Sequence, residues 1–386
     1  MPWRTTDVRD QRIAFVIRAA SGWEVFGDLC REFGVSRPTG YRWLGRYREA
    51  GSAANLVEHS RRPHRSPTRT LSGVEARVIA LRQHWGWGGR KLCVLLAQEG
   101  IVLPEATVNR ILKRHGLVAE VARQSAAPGH FERAAPNELW QMDHKGEMPA
   151  GQDGWCYPLS IIDDHSRFAV GLYASRGPTG ASVHRSLLLA FASYGVPDAI
   201  LIDHGTPWWS TTNGHGLTWV SAWLIQQGIR LVYSGIRHPQ TQGKVERFHE
   251  TLKAAVRHDG LPGSLAAWAA WLPAFRAVYN EVRPHESLGM QTPITRYRPS
   301  ERAYNPYPPE WEYPDGAVIR SLNTQGCLPW NRQRYFVCEA LAQQRVRIES
   351  VDNLLLVSYP NLYIREIDLQ SGRTRPLLEE TDKQNV

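Results

Sequence analysis

Between Val25 and Gly51 the apolar positions recur at steps of three and four. Phe26, Leu29, Cys30 and Phe33 follow the i, i+3, i+4, i+7 pattern of one buried helical face. Gly34 interrupts it with a residue suited to a left-handed turn, and Ser36 is placed to cap a second helix. That second helix carries Arg37, Tyr41, Arg42, Arg46 and Arg48. Two short helices around a tight turn, the second rich in arginine, predict a helix-turn-helix whose second helix enters a DNA major groove. A similar pattern follows over "GVEARVIALRQHW", "GRKLCVLLAQEG" and "PEATVNRILKRHG". Gly100 and Gly116 suit helix ends and Pro104 a first turn. Val108, Ile111 and Leu112 form the apolar face of the third helix, while Asn109, Arg110, Lys113 and Arg114 lie largely opposite. Two such units in tandem imply a long DNA site. The expected boundaries are 1–55 and 71–120, with 56–70 and 121–135 as linkers.

Beyond residue 135 the period changes. "ELWQMDHKG" reads as a strand with Asp143 near its end, and "WCYPLSIIDDHSRFAVGLYAS" as a hairpin turning at "DDHS". "SVHRSLLLAFASYG" is helical, and "DAILIDHG" is a short apolar strand of the kind buried within a sheet, ending in Asp203. "SAWLIQQGI" reads as a helix and "RLVYS" as a strand. The next helix has Val245, Phe248, Leu252 and Val256 on its apolar face and Glu246, His249, Glu250 and Lys253 on its polar face. Strands first and then alternating helices and strands point to a mixed α/β sheet over 136–300. After the proline-rich "NPYPPEWEYPDG", closely spaced short strands predict a small β-barrel over 301–386.

Charge separates these regions further. Residues 1–135 hold 22 Lys and Arg against 12 Asp and Glu, whereas residues 136–386 hold 24 against 25. The basic excess lies in the N-terminal third and favours a polyanionic partner, most naturally double-stranded DNA. Arg61, Arg62 and Arg65 in "SRRPHRSPTRT" belong to a basic stretch too rich in Pro and Ser to pack, suited to phosphates or a minor groove. No apolar run is long enough for a membrane helix, and the first residues do not read as a secretory signal. The expectation is a cytoplasmic, nucleoid-associated protein of bacterial type with no membrane partner. The five cysteines are scattered without a C-x-x-C pair, so neither a zinc finger nor a disulfide framework is expected.

Asp143 and Asp203 fall at the C-terminal ends of inner strands, where open α/β sheets hold ligands. With Glu246 they make three carboxylates that are distant in sequence and able to converge. Oxygen donors of this kind suit Mg²⁺ or Mn²⁺. Two such ions roughly 3.5–4 Å apart stabilise both oxygens of an in-line phosphoryl displacement. Asp163 and Asp164 read as turn residues, and His249 as a packing or phosphate-contact residue. Trp208 and Trp209 fit apolar packing better than stacking on a frayed base.

"WQMDHKG", "IDHGTP", "HPQTQGKVERFHETL" and "YNEVRPHESLG", in this order, resemble the catalytic core of bacterial insertion-sequence transposases of the DDE class, which share the retroviral-integrase core. The chain is most similar to the insertion sequence four-eighty-one group, over nearly its whole length. The resemblance implies an RNase H-like core and an SH3-like C-terminal barrel. It makes Asp143, Asp203 and Glu246 the catalytic, metal-binding acids, with Mg²⁺ or Mn²⁺ as the cofactor and two ions expected; no zinc is expected, because His59 and His64 lack cysteine partners at suitable spacing. It places Lys244 against substrate phosphate and assigns Tyr279, Asn280, Arg283, Pro284 and His285 to packing and DNA-backbone contact. Where the family has Asp-Asn-Gly at the second acid, this chain has Asp203-His204-Gly205.

Glu246 and Glu250 stand one helical turn apart, so either meets the geometric requirement for the third acid. The helix dipole, the close approach allowed by Gly243 and the resemblance select Glu246. The implied activity is a DNA transposase that binds the terminal inverted repeats of its element, cleaves the strand and transfers it to target DNA as a homodimer or larger assembly. A binding-only regulator derived from a transposase, and a metal-dependent nuclease without strand transfer, are the alternatives.

Overall fold

The protein is described by a computed structural model over residues 7–53, 56, 69–118, 132–210, 216–233 and 243–378. Arg61, Arg62, Arg65 and the "HPQTQ" stretch lie outside the described residues. Met1–Thr70 forms one compact unit and Leu71–Val386 a second.

In the first unit α1 (Val8–Ser21), α2 (Phe26–Glu32) and α3 (Arg37–Ala50) enclose Phe15, Val16, Leu29, Cys30, Trp43 and Leu44. Gly34 takes φ +64° between α2 and α3, and the Ser36 hydroxyl accepts the Thr39 N–H at the start of α3. Gly40 is the point of closest helix approach. A Cβ there would lie 2.8 Å from Phe15 and 2.9 Å from the Cys30 sulfur. These contacts turn the arginine-bearing side of α3 outward.

The second unit begins with α4 (Ser72–Trp85), α5 (Gly89–Gln98) and α6 (Glu105–Arg114), packed around Val78, Leu92, Leu96, Val108 and Ile111. A five-stranded sheet follows. Its strands are β1 (Trp140–His144), β2 (Leu159–Asp163), β3 (Ala169–Tyr173), β4 (Ala199–Ile202) and β5 (Arg230–Tyr233), arranged β3-β2-β1-β4-β5. β3, β2 and β1 are antiparallel neighbours, while β1, β4 and β5 run parallel. This is the RNase H-like arrangement.

Helices cover both faces. Trp140, Met142, Ile200 and Ile202 share a cluster with residues of α7 (Gly180–Tyr194) and α8 (Trp219–Gln226). On the opposite face Ile162 and Leu172 pack with Val245, Phe248, Leu252 and Val256 of α9 (Gly243–Asp259) and with Trp268 and Leu272 of α10 (Leu265–Ala277). Strand alternation therefore leaves Gln141 and Asp143 on the α9 face.

The C-terminal region adds β6 (Val318–Ser321), the hairpin β7 (Cys327–Trp330) and β8 (Gln333–Phe336), then β9 (Arg345–Val351), β10 (Leu354–Tyr359), β11 (Leu362–Asp368) and β12 (Thr374–Pro376). The larger sheet is antiparallel in the order β6-β9-β10-β11-β12, bent by a register shift at Val357/Ser358. Its buried Val346, Leu355, Val357 and Ile367 belong to the same hydrophobic cluster as Trp140 and Ile200, so this sheet shares a core with the central one.

After α10 the chain makes a single π-helical stretch, Val278–Val282. This turns Asn280 toward the edge strand β3. The side-chain amide accepts from Ala169 N–H at 2.8 Å and donates to the Ala169 carbonyl at 3.1 Å, standing in for a sixth strand. Asn280→Ala would strand two buried backbone groups, at a cost of about 2–5 kcal/mol. Urea unfolding of the full chain measures this. A loss below about 0.5 kcal/mol would mean that the edge is solvated instead.

Candidate active site and nucleic-acid surfaces

β1 and β4 pair in parallel with Trp140 opposite Ile200 and Gln141 opposite Leu201. That register, continued by two residues, leads from Gln141 and Leu201 to Asp143 and to Asp203, the residue that follows β4; paired strands lie about 4.8 Å apart. Two donors fix the second acid: the Gly205 N–H at 3.0 Å and the Trp208 indole N–H both reach Asp203 Oδ1. Trp208 and Trp209 are buried and offer no free face to a base. His204 lies beside Trp209 and Tyr233, with ring centroids 4.9 and 5.2 Å away.

Glu246 is exposed in the first turn of α9. That turn is anchored from β1 and from the β2–β3 turn. The Gln141 side-chain carbonyl accepts Val245 N–H at 3.3 Å, and Lys244 forms an ion pair with the fully buried Asp164 at 2.5 Å. Asp164 also accepts from Gln141 and from the Arg133 N–H, both at 2.8 Å. Asp163 is consumed by Asn137 N–H and by the N–H and hydroxyl of Ser166. Both turn acids are therefore structural. Lys244, which sequence reasoning directed at phosphate, is held against one of them.

Charge links the three predicted acids. Burial first, and then the neighbouring negative charges of Asp203 and Glu246, push the Asp143 carboxyl up to about 7. Glu250 instead pairs with Lys253 at 2.7 Å, which holds its carboxyl below the usual range. Among the described residues no three His, Cys, Asp or Glu side chains are gathered tightly enough to enclose an ion as they stand. The donor set is all carboxylate oxygen, and a hard divalent cation would offset both the burial and the neighbouring negative charge that raise the Asp143 carboxyl. The residues thus fit Mg²⁺ or Mn²⁺.

Sequence reasoning missed three members of the shell behind these acids, Gln141, Ser160 and Asp164, whereas His249, read as a packing or phosphate-contact residue, is buried. Strand alternation could have identified Gln141 as a neighbour of Asp143. Nothing in the sequence revealed Ser160, because its position depends on cross-strand register.

The predicted DNA-contacting residues occupy two surfaces. On α3 Arg37, Tyr41 and Arg42 are exposed, Tyr41 stacks on Phe26 at 4.1 Å, and the half-buried Arg46 lies over the Trp43 ring. On α6 Asn109, Arg110, Lys113 and Arg114 are exposed, with Arg114 paired to the buried Glu75 at 2.5 Å. Asn109 hydrogen-bonds Glu105 at 3.4 Å.

The Asp143 shift predicts a pH dependence of the metal-free protein. Folded Asp143 keeps its proton up to about pH 7, whereas an unfolded aspartate loses it near 4. The stability this group contributes is present at low pH and is lost as pH rises through that window. In chelator, Asp143→Asn is expected to melt above wild type at pH 8, with the gap closing toward pH 4. A gap that does not change with pH would contradict the shift.

The same chain segments match known families. The Integrase core domain family matches residues 133–239 and 227–293. A Homeodomain-like domain matches residues 39–112 and a Helix-turn-helix domain residues 11–64. A 31.7 kDa protein of insertion element IS407 from Burkholderia multivorans is 27% identical over 266 residues, covering 68% of this chain and 87% of that protein. A 39.2 kDa protein of insertion element IS476 from Xanthomonas euvesicatoria is 27% identical over 270 residues, covering 68% and 75%. The transposase of Tn552 from Staphylococcus aureus is 28% identical over 151 residues, covering 34% and 29%. With helix-turn-helix domains ahead of an RNase H-like integrase core, this chain is similar to the transposases of bacterial insertion elements.

Proposed function

We propose that the chain binds the terminal inverted repeats of its own element and catalyses strand cleavage and strand transfer at Asp143, Asp203 and Glu246. The observation that carries this reading is the parallel pairing of β1 with β4, which brings Asp143 and Asp203 to one sheet end, with the charges of Asp203 and Glu246 both acting on Asp143. Mg²⁺ or Mn²⁺, expected as two ions, would supply the positive charge that activates a hydroxyl nucleophile and stabilises the leaving oxygen. Asp143 and Asp203 would hold this charge from the sheet and Glu246 from α9. Trp208 and Gly205 keep Asp203 oriented, and Lys244 holds the first turn of α9 through Asp164.

The exposed basic side chains of α3 and α6 would engage the element's ends. Arg37, Arg42, Arg46, Arg110, Lys113 and Arg114 supply charge, while Tyr41 and Asn109 supply contacts of lower charge. Arg61, Arg62 and Arg65, in the basic stretch between α3 and α4 in the sequence, would add phosphate contacts. Because two ends must be processed together, the working form is a homodimer or larger assembly on DNA. No helix among the described residues is long and apolar enough to cross a membrane, and action on nucleoid DNA in the cytoplasm follows from the proposed substrate.

Two measurements test this reading. Asp143→Asn, Asp203→Asn and Glu246→Gln are each expected to reduce cleavage of end DNA in Mg²⁺ by roughly a hundredfold or more, with end binding retained. Glu250→Gln should keep most activity because its partner is Lys253. Near-normal cleavage by any of the first three variants would remove that acid from the site. For the binding surfaces, Arg42→Ala and Arg110→Ala in the full chain should each weaken end binding and flatten the log affinity versus log salt slope by about one. An unchanged slope would exclude phosphate contact at that position.

A further inference from the structure

The first acid has a partner that the proposed chemistry does not use. Asp143 on β1 and Ser160 on β2 are directly opposed in the antiparallel ladder. Both point to the α9 face, and His249, one turn beyond Glu246, fills the space above them. His249 is 6% exposed and Ser160 is fully buried. The imidazole Nε2 lies 3.0 Å from Ser160 Oγ, and Nδ1 lies 3.9 Å from Asp143 Oδ2.

We propose that His249 is a positioning residue, which uses Ser160 to fix its tautomer and presents Nδ1–H to Asp143, orienting that carboxylate toward the bound metal. This rests on Asp143 being a metal-binding acid.

The tautomer follows from hydrogen-bond accounting. A buried hydroxyl proton needs an acceptor. For Ser160, His249 Nε2 is the side-chain acceptor in reach among the described residues. Ser160 therefore donates, Nε2 accepts, and the ring proton sits on Nδ1. The opposite tautomer would aim a lone pair at an ionised carboxylate.

At 3.9 Å the Nδ1–H dipole orients Asp143 electrostatically, and an approach of roughly 1 Å makes a hydrogen bond. Hydrogen bonds of this kind hold metal-binding carboxylates in one orientation, and their loss typically costs 10- to 100-fold in metal affinity or activity. The contact also has a geometric consequence. His249 belongs to the helix that bears Glu246, while Asp143 and Ser160 belong to the sheet. With the Gln141–Val245 bond in the preceding turn, it fixes two of the three acids relative to each other.

Two amide replacements separate the ring's nitrogens. His249→Asn places an amide near the position of Nδ1, and His249→Gln places one near Nε2. Mn²⁺ affinity of the metal-free full chain is measured by titration calorimetry, alongside end-DNA affinity and single-turnover cleavage. His249→Asn is expected to stay within about threefold of wild type in Mn²⁺ affinity and cleavage. His249→Gln should lose about tenfold in both, with end-DNA affinity unchanged. Equal values for the two variants overturn the proposal.

Ser160→Ala, a smaller change, guards against misfolding of the glutamine variant. It frees the tautomer and should also weaken Mn²⁺ binding severalfold, and wild-type affinity there overturns the proposal as well. Asp143→Asn distinguishes the underlying reading. If that variant binds Mn²⁺ and cleaves like wild type, the acid assignment fails and the role of His249 fails with it. If Asp143→Asn is inactive while the asparagine and glutamine variants match, only the positioning role fails.

Discussion

In the proposed site Asp143, Asp203 and Glu246 would share a divalent cation, and until it arrives such carboxylates repel one another and must be held by other means. Here the means is sheet register. Asp143 and the residue before Asp203 belong to neighbouring parallel strands in the middle of a five-stranded sheet covered on both faces, which restricts how far the two acids can separate. The strain appears in the proton rather than in the backbone. Burial first, and then the charges of Asp203 and Glu246, let Asp143 retain its hydrogen to about pH 7, so one of the charges is suppressed. An acid on a loop would relieve the same repulsion by moving away. The third acid is placed on a helix end for a related reason, since the dipole at the first turn of α9 offsets part of the charge that Glu246 adds.

That arrangement requires α9 to be located accurately, and the surrounding polar groups do this. Gln141, Asp164 and Ser160 are fully buried, and each meets α9 directly: the backbone of Val245, the ammonium of Lys244 and the imidazole of His249. An apolar interface alone would allow the helix to slide along the sheet, because apolar contact is not directional. Three hydrogen-bonded anchors within its first two turns restrict such sliding. The apolar stripe of Val245, Phe248, Leu252 and Val256 then supplies the burial.

The sequence made the local patterns legible and left the long-range ones hidden. The α2–α3 turn was readable because Gly34 and Ser36 have one conformational role each, and the observed φ of +64° and the Ser36 cap match it. The strand ends at Asp143 and Asp203 were readable because apolar runs of this length mark inner strands. The roles of Asp164 and Ser160 were not, because they depend on partners 80 and 89 residues away that no periodicity encodes. The same limit explains Lys244. Its motif suggested an approach to phosphate, whereas its closest ion-pair partner is a buried acid in the β2–β3 turn. The C-terminal strands were legible individually, but not the continuous core that they share with the central sheet.

The segment after α10 shows how far one stretch of chain can serve several surfaces. Asn280 completes the edge of β3, and Tyr279 packs edge-on against Phe248 of α9 at 4.7 Å. Val278 and Val282 join the hydrophobic cluster of α4–α6, while the Arg283 guanidinium lies over the Trp87 ring at 5.2 Å. Glu286 adds ion pairs to Arg90 and Lys91 of α5, and His258 at the end of α9 donates to the Gln83 carbonyl at 2.9 Å. The helix carrying Glu246 and the bundle carrying α6 are therefore anchored to the same short segment. Burial of the valines and of Trp87 makes this contact part of a core rather than a solvated surface pairing of small value. The distance from α6 to the three acids is thus set by packing. A DNA end engaged by α6 would meet the acids at a position fixed by the fold, and a change at the half-buried Val282 would act on that position through packing alone.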